Sequence, residues 1–139
     1  MKTIKFVLGI LVVMVLSGCG GGLYPVQGTV SYENGAPVEE GIIVGEAVIE
    51  SKTVMAQSNI SKDGKFSWGM NKPGDGALPG TYKVIVLPRT LSEAEQSRGS
   101  MPAVDRKYSN YESSGITFEV KGQQNVFDVK VQKPVKSQN

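Results

Sequence analysis

The chain has 139 residues, with 15 Lys+Arg, 13 Asp+Glu, one Cys and no His. Without imidazole there is no Ser-His-Asp triad, Cys-His dyad or histidine metal site, and one Cys makes neither an internal disulfide nor a CxxC zinc or redox pair. A formal net charge of +2 is far from the dense basic face that nucleic-acid binding needs, so no nucleic-acid partner is expected.

The N-terminus carries the most information. Lys2 and Lys5 precede an apolar run from Phe6 to Leu16, which is followed by the small residues Ser17 and Gly18 and then by Cys19. Eleven apolar residues are too few to span a bilayer as a helix, which takes about 20. A basic start, a short apolar core and small residues together read as an export signal. Leu16-Ser17-Gly18-Cys19 resembles the lipobox of bacterial lipoproteins. That resemblance implies a signal peptide over 1–18, cleavage between Gly18 and Cys19, and lipidation of the Cys19 thiol. Acyl chains contribute about 0.8 kcal/mol per buried CH₂, so two or three anchor a protein stably where one does not. The expected partner is therefore a membrane, reached through the lipid. The same resemblance implies the outer membrane or cell surface over the inner membrane, because the Asp that marks inner-membrane retention in that family does not follow Cys19. Loss of Lys2 and Lys5 leaves 13 basic against 13 acidic residues, so the excess positive charge belongs to the signal.

Residues 19–23 read as the lipidated Cys with a Gly-rich tether. From there to residue 132 the pattern is strands and turns. Val26, Gly28, Val30 and Tyr32 alternate with polar residues, and Asn34-Gly35 then marks a turn. Ile42–Ile49 is apolar and β-branched, and Gly45 within it predicts a bulge or bend. A strand over 53–60 is followed by a hairpin turn centred on Asp63-Gly64, then by Phe66 and Trp68 on one face of a short strand. The stretch Asn71–Gly80 holds two Pro and three Gly in ten residues and cannot be regular. Thr81–Leu87 is the strongest strand, with Tyr82, Val84 and Val86 on one face. Ile116, Phe118 and Val120 alternate, Lys121-Gly122 turns the chain, and Phe127, Val129 and Val131 alternate again, predicting a C-terminal hairpin. Residues 133–139 read as a polar tail.

About seven short strands with closely spaced turns predict an all-β fold, a β-sandwich. Between the last two strand groups lies a long segment, Arg89 to Ser114. Ser92 and Glu95 form a capping-box pattern and Gly99 a terminator, predicting a short helix over 91–98. Loops of this length are usually functional or mobile.

The segments Tyr24–Val30, Asn34–Pro37, Asp63–Phe66, Leu78–Val84, Pro102, Lys107-Tyr108 and Ser113–Val120, in that order, resemble the transthyretin-like, or carboxypeptidase-regulatory-like, domains of bacterial envelope lipoproteins. The resemblance implies a seven-stranded Greek-key sandwich of prealbumin type over 24–132; it does not imply an activity, since the fold hosts unrelated roles. The enzyme branch of the transthyretin family works through histidines, and this chain has none.

Other chemistry finds no support. There is no SxxK arrangement. Glu39-Glu40 would face opposite sides of a strand, and Asp63-Gly64 lacks the alternating oxygen ligands of a calcium loop. No catalytic residue, metal site or cofactor is expected. Trp68 and Tyr82 read as core. Tyr108 and Tyr111, with Arg106 nearby, are the best candidates for surface recognition of a glycan or envelope protein; alternatively, Tyr108 plugs the end of the sandwich. The expectation is a non-enzymatic, lipid-anchored envelope protein, with a carbohydrate- or peptide-binding accessory using the 89–114 loop as the alternative.

Overall fold

The computed structural model describes residues 22–136. The expected signal peptide, the Gly18–Cys19 cleavage point and the Cys19 lipidation site lie outside the described residues.

Period-two burial produces two sheets. One is built on β1 (Val26–Tyr32), which pairs antiparallel with β4 (Lys65–Ser67) and parallel with β7 (Asn125–Val126) and β8 (Val129–Val131). The other runs in the order β3-β2-β5-β6, from β3 (Lys52–Ile60), β2 (Gly41–Ile49), β5 (Gly80–Pro88) and β6 (Ile116–Val120), all antiparallel. The all-β expectation is met.

The inward residues of both sheets share one core. Val26 and Val30 of β1, Ile43 of β2, and Tyr82, Val84 and Val86 of β5 are fully buried. Trp68, just after β4, sits at its centre, with ring centroids 5.4 Å from Tyr82, 5.9 Å from Phe127 and 6.3 Å from Phe118. Phe118 and Phe127 stack across the sheets at 4.0 Å. These aromatic pairs add to what area burial alone contributes.

Two sequence expectations need correction. Gly45 makes no bulge: it stays in register with Ala56 on β3 and Val84 on β5. The glycine is there because the Trp68 ring lies against it, and an added Cβ would fall 2.8 Å from Cζ2. Nor do β6 and the last strands form a hairpin. β6 pairs with β5, whereas β7 and β8 pair with β1 in the other sheet. Lys121–Gln124 therefore crosses between sheets instead of reversing within one. Asn125, buried at 5% exposure, pins this crossing: its Nδ2 donates to the carbonyls of Gln123, Lys121 and Pro25. The Asp63-Gly64 turn forms, with Gly64 at φ +81°, but it too hands the chain to the other sheet, since β4 pairs with β1.

The strands define two ends. Tyr24 bridges Ala77, Gly80 pairs with Val120, and the two-residue turn Glu50-Ser51 joins β2 to β3, all at the end where the described chain begins. The opposite end holds Tyr32, residues 33–40 and the segment after β5.

Candidate functional site

The 89–114 segment folds in two halves. The first is an exposed short helix, α1 (Glu93–Ser97), opened by the expected capping box: the Glu95 amide donates to Ser92 Oγ and the Ser92 amide to Glu95 Oε2. Arg89 clamps it back onto β5. Its Nη2 donates to Glu95 Oε1 at 2.6 Å and its Nη1 to Oε2 at 3.1 Å, and its Nε lies 3.9 Å from Glu40. The Arg89 hydrogen bonds, then those from Ser92, hold the Glu95 carboxyl down at about 2. Gly99 at φ +73° ends the helix.

The second half turns inward. Val104 is fully buried, and Tyr32 Oη donates to the Ala103 carbonyl at 2.8 Å. A 3-10 turn, Arg106–Ser109, is capped by Asp105, whose Oδ1 accepts from the Lys107 amide. Lys107 Nζ donates to Gln132 Oε1 and lies 4.9 Å from the Tyr108 ring centre. A second short helix, α2 (Tyr111–Ser114), follows, and Ser114 Oγ donates to the Val84 carbonyl where β5 runs on past β6.

The three candidate recognition residues therefore do not make one surface. Tyr108 is 6% exposed and packed in the core with Val104, so it is the plug and is withdrawn from surface stacking. Tyr111 is half-buried. Burial raises its phenol above the usual value, with the Glu46 carboxylate adding to the effect. Arg106 is exposed and faces a groove of about 420 Å³ shared with Pro88, Arg89, Leu91 and Gln96, to which neither Tyr contributes. Arg89, the second cation there, is already engaged by Glu95.

A second groove, of about 330 Å³, lies along the outer edge of β3. Its outer wall is residues 69–73, of which the sequence pattern marks 71–73 only as the start of the irregular stretch Asn71–Gly80. The structure shows an ordered loop whose organiser is Asp75: Oδ1 accepts from the Met70 amide at 2.7 Å, and Oδ2 from Asn71 at 3.2 Å and Lys72 at 3.0 Å. These bonds hold the Asp75 carboxyl below its ordinary range, the Met70 amide contributing most. An Asp in the middle of a Gly/Pro-rich run is the available signal, because Asp side chains organise turns by capping nearby amides.

Glu39 and Glu40 are exposed in the β1–β2 connection, and Asp63 is tied into its own turn by Ser61 and the Lys65 amide. Among the described residues no three Asp, Glu, Cys or His side chains converge as a metal site would require, and no helix is long and apolar enough to cross a membrane. The chain matches no family model, and comparison with curated proteins and solved structures gives no match.

Proposed function

We propose that this chain is a non-enzymatic module of the bacterial cell envelope, held to the outer membrane or cell surface by lipid on Cys19. The observation that carries this reading is the placement of the two ends. Gly22 lies against Leu78 where the described chain begins, and the 89–114 segment lies at the opposite end beside Tyr32 and Gln132. Three peptide units separate Cys19 from Gly22, a reach of at most about 11 Å. The seven residues of β1 alone extend about 23 Å. A lipid on Cys19 would thus bring one end of the domain to the bilayer and hold the long segment away from it, free for partners.

The fold we propose is the seven-stranded Greek-key sandwich of prealbumin type. The eight strand segments reduce to seven because β7 and β8 keep one register along β1. Val26 faces Asn125 and Val30 faces Val129 at the same offset, and the Phe127 amide donates to the Gln27 carbonyl between them. Gly28 permits this close approach, since a Cβ there would overlap the Phe127 carbonyl.

Cys19→Ala and globomycin treatment test the anchor. The expected result is an unprocessed precursor with globomycin and loss of the processed membrane-bound form with Cys19→Ala. Equal processing and equal membrane association in both would overturn the reading.

A further inference from the structure

We propose that the groove beside β3 is a binding site for a neutral, hydroxyl-rich ligand, a short saccharide segment. The inference stands apart from the lipid anchor, since every residue it uses belongs to the domain.

Gln57 and Asn59 from β3 and Asn71 from the 69–79 loop bring three carboxamides to one groove, joined by Ser67. The backbones of Gln57, Asn59 and Asn71 are hydrogen-bonded, but their side-chain amides make no hydrogen bond to any described residue. Each carboxamide offers two donors and one acceptor with two lone pairs, and a sugar hydroxyl both donates and accepts. The apolar part of the lining, Ile42, Met70 and Pro73, gives the C–H faces of a sugar ring something to lie against. The volume of about 330 Å³ falls at the small end of ligand pockets, the scale of one or two rings.

The groove is also built in advance. Gly69 pairs with Gln57 through both backbone bonds, each 3.0 Å, and Asp75 gathers the amides of Met70, Asn71 and Lys72. Binding therefore orders little backbone, which lowers its entropic cost. The same Gly69 pairing argues against a peptide: strand addition needs outward N–H and C=O groups, and those of Gln57 are taken. An anion is disfavoured because the only cation in the lining is Lys72, with no Arg.

The test is a ¹⁵N NMR titration of the full chain, in a detergent without a sugar headgroup, with neutral disaccharides of glucose, galactose and N-acetylglucosamine up to about 20 mM. The expected result, for at least one of them, is shifts confined to the Gln57, Asn59 and Asn71 side-chain amides and the Met70–Lys72 backbone. Gln57→Ala or Asn71→Ala should weaken binding by about 3–10-fold each, one net hydrogen bond. Arg106→Ala should leave it unchanged. Both altered residues are exposed, and an unshifted core spectrum shows that the fold is kept. No groove shift with any of the sugars, shifts insensitive to the two variants, or stronger groove shifts with glucuronate or an extended peptide would overturn the proposal.

Discussion

Trp68 lies against Gly45. The glycine is in the middle of β2, paired on both sides, and its missing side chain is the space the indole occupies. Alanine in place of glycine ordinarily favours a strand by about 0.5–1 kcal/mol. Here the new methyl would meet a rigid ring that cannot swing away, because Tyr82, Phe118 and Phe127 surround it. Overpacking of this kind costs about 1–3 kcal/mol, so the clash wins. Gly45→Ala should lower the urea midpoint, and Gly45→Val should lower it further; an unchanged or raised midpoint would contradict the packing.

Two of the three recognition candidates, Tyr108 and Arg106, should separate cleanly by stability. Tyr108→Ala removes a buried aromatic and should cost about 3–5 kcal/mol in a denaturation curve. Arg106→Ala alters an exposed side chain and should stay within about 0.5 kcal/mol of the parent. Similar small effects from both would return Tyr108 to the surface.

The Arg89–Glu95 clamp makes a pH prediction. The folded pKa of Glu95, about 2, is depressed below its ordinary value by Arg89 and Ser92. A depressed carboxyl stabilises above its unfolded pKa and loses that contribution as pH falls through the folded one. The α1 segment should therefore stay docked at neutral and mildly acidic pH and loosen only as pH approaches 2. A carboxyl-carbon NMR titration should place the Glu95 midpoint there, and Arg89→Ala should move it up toward the normal carboxylate range. A midpoint that ignores Arg89→Ala would show that the clamp does not operate in solution.

The β2–β3 turn carries strain that can be relieved. Glu50 and Ser51 have φ values of +49° and +64°, the left-handed region that suits Asn-Gly in a two-residue hairpin. Ser51→Gly should raise stability by about 0.5–1 kcal/mol, read as a higher Tm. No gain would mean that the turn relaxes out of this conformation in solution.

Strand positions were legible where one face is buried. Thr81–Leu87 alternates because Tyr82, Val84 and Val86 point into the core. The helix start at Ser92 was equally legible, since a capping box is a local device. What failed to show was pairing at a distance. A glycine inside a strand reads the same whether it bends the chain or admits a ring, and Trp68 is 23 positions from Gly45. Lys121-Gly122 turns a chain whether it returns in one sheet or crosses to the other, and the choice rests on β1, about 100 residues earlier. The β3 groove was hidden for the same reason. Gln57 and Asn71 look like separate surface amides until the Gly69–Gln57 pairing sets them side by side.

The lipid anchor on Cys19 can be read from the mass of the mature N-terminal peptide. The expected chain begins at Cys19, with a diacylglyceryl group on its thiol and 13 basic against 13 acidic side chains behind it. A mature chain that begins elsewhere, or that keeps Cys19 as a free thiol, would contradict it.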